Sequence, residues 1–342
     1  MSVIKNEFPK VELHLHLEGS TSAATLIKLA KSGRTKNSLP VMDEQKLEEM
    51  ILCKDFDTFW TVWSWFMDLW LDPENLAVMV TDYLETAATY NVKYVDITTG
   101  VIMYTRRYGL PVWKFLDSIT YARNEAFKKW GIRSSVSLAF NRGYPELNSD
   151  IMGFSVKAFE KGLANSISLV GDEKNAADVV PFKDAFQYAR DAGLKISAHA
   201  GEWAGPESIW NTLKILQPDR IGHGIRAVED SELVIYLAEN EIPLEVCPTS
   251  NVCTGVYRCI EEHPLPVLLK HGVKVSVSSD DPALFGTNMG KEYEILEKTF
   301  GFSPDEILKI TLNAVDASFL NTNEKKLLRN DVFSDFDKLS FP

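Results

Sequence analysis

The 342-residue chain is short of several things that would mark it for a particular class of protein. It has four cysteines, Cys53, Cys247, Cys253 and Cys259, and no CxxC pair. That excludes a dense disulfide framework and argues against thiolate zinc ligation, so a reducing cytoplasm is the expected compartment. No apolar run is long enough to span a bilayer, and the opening "MSVIKNEFPK" lacks the basic segment and apolar stretch of a secretory signal. Cationic excess is missing too: 36 Lys and Arg face 48 Asp and Glu, a net charge of −12. Neither a nucleic-acid partner, which needs clustered cations, nor a membrane partner is expected. No GxGxxG follows the first strand, which argues against an open dinucleotide-binding sheet. Histidine is scarce as well, with six in the chain.

What is present is ordinary globular material, 45% apolar and 25% charged. After residue 90, short β-branched runs alternate with longer helix-like stretches. The expected strands are 92–100, 133–140, 166–171, 195–201, 220–225, 243–250 and 274–281, with "VELHLHL" at 11–17 as the first. Eight strand–helix units predict a parallel (β/α)8 TIM barrel, one metal-dependent domain over residues 1–342. The gap from 17 to 92 is too long for one crossover. Its segments look helical and read as an insertion on the barrel rim at about 20–90. "SPDEILKITLNAVDASFL" reads as a closing helix with Ser303 as N-cap.

In such a barrel the catalytic face lies where the strands end. His14 and His16 close strand one on a shared face. His199 and Glu202 leave strand five, His223 sits in "RIGHGI", and Asp280 and Asp281 end strand eight. Four of six histidines thus fall at one end, while His263 and His271 lie in helical or loop contexts and are expected at the surface. Grouping four imidazoles with three carboxyls is costly without a counter-ion. Three imidazoles and one carboxylate, from His14, His16, His199 and Asp280, suit Zn²⁺; iron, manganese or cobalt could take the same set. Strand four ends "SLVGDE" with no lysine before Lys174, which favours one metal over a bridged pair. His223 is then a base or an electrostatic guide, Glu202 a proton donor, and Asp281 an orienting acceptor for attacking water. These parts describe metal-assisted hydrolysis.

"PKVELHLHLEGS", "GDE", "HAGEWAGPESIW", "RIGHGI", "PLEVCPTSN" and "SSDDPALFGT" occur in that order. Together they resemble the adenosine deaminase family of the amidohydrolase superfamily, from Pro9 to about Phe319. The resemblance implies a zinc barrel, with one Zn²⁺ per chain, that replaces the 6-amino group of a purine nucleoside with oxygen and releases ammonia. It implies His14, His16, His199 and Asp280 as ligands and Glu202 as donor to purine N1. His223 and Asp281 would activate and orient the water, and His16, Glu18 and the Gly171 backbone would lie against substrate. Adenosine deaminases typically read HLDG where this chain reads "HLEG". Glu18 there resembles relatives acting on adenine or 6-amino-6-deoxyfutalosine. "VDITTGVIMYTRR" also resembles the latter group, which makes 6-amino-6-deoxyfutalosine the expected substrate, ahead of adenosine and adenine. Arg106 and Arg107 could meet its carboxylate, although solvated surface positions are the simpler expectation. Phe56, Trp60, Trp63, Met67 and Trp70 recur at helical spacing, either as helix-on-barrel core or as an apolar lid. A catalytically silent binding relative is the alternative from another class. "VCPTSNVC" does not match the PCxxC of cysteine-ligated nucleobase deaminases, and Cys247 is expected to be a small buried hydrophobe.

Overall fold

All eight expected strands form, in the expected places, in a computed structural model that describes residues 3–33, 39–53, 58, 62 and 71–341. They are β1 (Lys10–His16), β2 (Val92–Thr99), β3 (Arg133–Asn141), β4 (Ser166–Val170), β5 (Lys195–Ala200), β6 (Arg220–His223), β7 (Leu244–Val246) and β8 (Val275–Val277). Each pairs in parallel with the next, so the sheet order is the chain order. Helices connect successive strands, as a parallel sheet requires. This is the (β/α)8 barrel that the alternating pattern predicts.

β7 and β8 are shorter than expected, for separate reasons. Pro248 cannot donate to a ladder and instead opens a helix, Pro248–Cys253. Beyond β8 the chain closes the barrel without an ordinary ladder. The Ser278 hydroxyl accepts the Leu13 and His14 amides, both at 3.1 Å. Asp280 then donates its amide to His14 O at 3.1 Å and accepts the His16 amide at 2.9 Å. A residue expected to ligate metal is therefore also a closing stitch of the barrel.

The leucines that alternate with the two β1 histidines, Leu13 and Leu15, are buried. They belong to the core between barrel and helices, where each large side chain contributes roughly 1.5–3 kcal/mol. Between β1 and β2 lie the helices Ala23–Lys31, Glu44–Ile51 and Pro73–Thr89, whose N-caps are the side chains of Ser22, Asp43 and Asp72. The stripe of Phe56, Trp60, Trp63, Met67 and Trp70 lies outside the described residues. Ser303 caps Pro304–Ala317 as expected, in a reciprocal box with Glu306. Among the described residues, no helix is long and apolar enough to cross a membrane.

Candidate active site

The strand ends surround one cleft of about 850 Å³, its open mouth included. His16, Glu18, Gly171, His199, Glu202, His223, Asp280 and Asp281 all line it. His14 sits beneath, its ring centroid 4.5 Å from His199 and 4.8 Å from His223. The residues singled out in sequence thus converge on one site.

His14 donates Nδ1–H to Glu245 at 2.9 Å, which leaves Nε2 available to a ligand. That Nε2 is buried without a hydrogen-bond partner, 3.5 Å from Asp280 Oδ1. His16 Nε2 stands 3.4 Å from the same oxygen and 3.2 Å from His199 Nε2. Burial would lower the pKa of His14, but the flanking carboxylates Asp280 and Glu245 raise it to about 10. Burial dominates at His16, pushed down to about 4, and at His199, held well below the usual range. A proton-hungry nitrogen beside two neutral imidazoles and a carboxylate is a donor set for a divalent cation. His14, His199 and His223 present ligand atoms within 4.8 Å of one another, as do His16, Asp280 and Asp281. Cys247 also comes within that range of His14 and Asp280. Burial and nearby carboxylates raise its thiol well above the usual range, so it stays a neutral buried side chain as expected.

Beside these ligand atoms stand carboxyls that favour their protonated form. Burial first, then the charges of Asp280 and Glu173, push Glu202 well above the carboxylate range. Burial and Asp280 do the same for Asp281. Glu202 Oε2 lies 3.8 Å from His223 Nε2. His223 and Asp280 both adopt left-handed backbone, φ 59° and 66°, a strain that turns their side chains into the site. Gly19 is required because a Cβ there would sit 1.8 Å from Asp281 Oδ1. Gly171 has φ +102° and abuts Asn141, so no side chain fits between strand four and the cleft.

Three supports went unread in the sequence. Glu173 of "GDE" accepts four successive amides of the loop after β5: Gly201 (2.7 Å), Glu202 (2.9 Å), Trp203 (2.8 Å) and Ala204 (3.2 Å). It thereby fixes where Glu202 stands. Glu245 holds His14 and is itself held by Arg220 and Ser197. The third support corrects an expectation. His263 is 3% exposed, not a surface residue, because Tyr257 and Phe300 pack against its ring. His271 is exposed as expected, and Arg106 spends its charge on exposed Asp150 at 2.9 Å.

A (β/α)8 barrel with buried imidazoles, an aspartate and protonated carboxyls at its strand ends is a metal-dependent hydrolase. The model of the adenosine deaminase family matches residues 9–335, so the chain belongs to that family and deaminates adenine-type substrates. An adenine deaminase of Crocosphaera subtropica is 33% identical, with 96% of this chain and 99% of that protein covered. An aminodeoxyfutalosine deaminase of Streptomyces avermitilis is also 33% identical, covering 95% and 90%. The crystal structure of an adenine deaminase from Arthrobacter aurescens superposes with TM-score 0.88 at 29% identity, covering 95% and 98%.

Proposed function

We propose that the chain hydrolyses the 6-amino group of an adenine nucleoside at a single zinc ion, with 6-amino-6-deoxyfutalosine the preferred substrate. The observation that carries the reaction is the placement of Glu202, fixed by Glu173 beside the His14–His16–His199–Asp280 set, where desolvation and the charge of Asp280 favour its protonated form. Those four residues would hold the zinc, which would supply a water acidified to a pKa of about 7. Glu202 donates its proton to purine N1 and so makes C6 electrophilic. His223 and Asp281 orient the attacking water, and Asp281 also faces N7. The Gly171 backbone reaches N3 because nothing projects from that position. One ion fits better than two, since the carboxylate at the end of strand four, Glu173, spends its oxygens on backbone amides and the Ser208 hydroxyl.

The substrate preference rests on Glu18 and the cleft walls. Glu18 Oε1 accepts from Thr99 Oγ1 at 2.9 Å and the Gly100 amide at 2.8 Å, so the carboxyl is held in place at the wall. Met103, Tyr104, Trp203 and Phe285 add apolar walls. The two 33% relatives favour adenine and aminodeoxyfutalosine equally. Four free cysteines agree with a reducing, cytoplasmic setting.

The test is ammonia release by metal-quantified protein on 6-amino-6-deoxyfutalosine, adenosine, 2′-deoxyadenosine and adenine at equal concentration. The expected result is one zinc per chain and highest kcat/KM on the first. Preference for adenosine or adenine would overturn the substrate choice. Silence on all four would favour a catalytically silent binding relative.

A further inference from the structure

Two residues outside the expected catalytic set, Asn251 and His263, form a buried relay that ends on His223. The Leu265 amide lies 3.2 Å from His263 Nδ1. His263 Nε2 lies 3.2 Å from Asn251 Oδ1, and Asn251 Nδ2 lies 3.2 Å from His223 Nδ1. Asn251 is fully buried, and its backbone is tied to Cys247 O at 3.0 Å and to the Tyr257 amide at 2.9 Å.

The direction of the relay follows from its anchor. A backbone amide can only donate, so His263 Nδ1 must accept. Burial lowers the pKa of His263 to about 3, so the ring is neutral and its one hydrogen sits on Nε2. That hydrogen requires an acceptor, which orients the Asn251 carboxamide with its oxygen towards His263. Its amino group then faces His223 and donates to Nδ1. The hydrogen of a neutral His223 is therefore on Nε2, the nitrogen 3.8 Å from Glu202 and 3.9 Å from Asp280. Each assignment follows from the previous one, so the backbone anchor sets the amide orientation and both tautomers.

We propose that Asn251 and His263 are positioning residues that fix His223 in its Nε2–H tautomer, so that this side chain donates a hydrogen bond to the reacting centre. The inference rests on His223 taking part in the deamination proposed above, and it decides between the two roles that the sequence left open. A neutral His223 offering N–H stabilises negative charge on the attacking oxygen, and it has no lone pair there to act as a base.

The test is histidine-tautomer NMR on zinc-loaded, 15N-histidine-labelled protein, with the His223 signals assigned by their loss in His223→Gln. The expected wild-type spectrum shows a protonated Nε2 and an accepting Nδ1. Asn251→Asp is nearly isosteric but offers His223 an acceptor, and so should move the hydrogen to Nδ1. Kcat should fall about 10²–10⁴-fold, with KM and zinc content retained, as expected of a wrong tautomer. His263→Gln, whose amide can donate to the same Oδ1, should keep the wild-type tautomer. A wild-type His223 carrying its hydrogen on Nδ1 overturns the proposal and needs no variant. An Asn251→Asp protein with unchanged tautomer and kcat also overturns it. The spectrum is read without substrate, so a failure of the deaminase reading leaves this result standing by itself.

Discussion

Two groups of buried charge lie within this barrel, and they are balanced in opposite ways. The lower one is self-contained. Arg220, 2% exposed, bonds Asp96 Oδ2 at 2.7 Å, meets Glu245 through Nε and stacks 3.5 Å from the centre of the Phe319 ring. Tyr94 and Ser135 donate their hydroxyls to the other oxygen of Asp96. Burial would raise the pKa of Glu245, but Arg220 and His14 hold it below the usual range. The upper group, at the mouth, has the carboxyls of Glu18, Glu202, Asp280 and Asp281 and no lysine or arginine among the described residues lining the cleft. Burial lifts Glu18 to about 7, and Glu202 and Asp281 rise well above the carboxylate range. The lower charge is neutralised by the chain itself, whereas the upper is left for a proton or a cation. Glu245 joins the two: it pairs with Arg220 and holds the His14 ring through Nδ1.

The difference predicts that equally conservative substitutions act on different properties. Glu202→Gln replaces a group whose uncharged form the site favours, so unfolding of the metal-free protein should show no loss of stability. Its kcat should drop about 10²–10⁴-fold with metal content intact, because an amide cannot supply the proton. Wild-type-like turnover in that variant would sink the acid role of Glu202. Arg220→Met acts in the opposite sense, because it strands Asp96 and Glu245 without their cation. A loss of about 3–5 kcal/mol in denaturant unfolding is expected. An unchanged midpoint would mean the lower group needs no cation.

Glu292 stands between these extremes and gives a smaller effect. It is buried, accepts the Thr287 hydroxyl and the Thr249 amide at 3.4 Å, and burial raises its pKa from 4.5 to about 7. Between those values the folded state binds the extra proton. Its contribution to stability is therefore full below pH 4.5 and declines by about 3 kcal/mol as pH rises through about 7. Glu292→Gln should flatten this arm of the pH–stability profile, measured by urea unfolding from pH 4.5 to 8. An arm of equal slope in the variant would assign the dependence to the mouth carboxyls instead.

Much of this was legible beforehand, and the boundary has a physical basis. Strand positions show in the sequence because side-chain alternation depends on neighbours one and two residues away. The donor residues show because chemistry-bearing side chains at parallel strand ends must share one face. By itself, then, the order of residues determined the barrel, the His14–His16–His199–Asp280 grouping and the proximity of Glu202, His223 and Asp281. Only the tertiary structure decided which groups support them. His14 meets Glu245 across 231 positions, and Glu173 meets the Glu202 amide across 29, with no local pattern to announce either pairing. His263 was misplaced for the same reason: its segment reads as surface, and burial came from Tyr257 and Phe300, brought to it by the fold. Periodicity reports where a side chain points, but its partners, and with them its charge and tautomer, are set by contacts between distant parts of the chain.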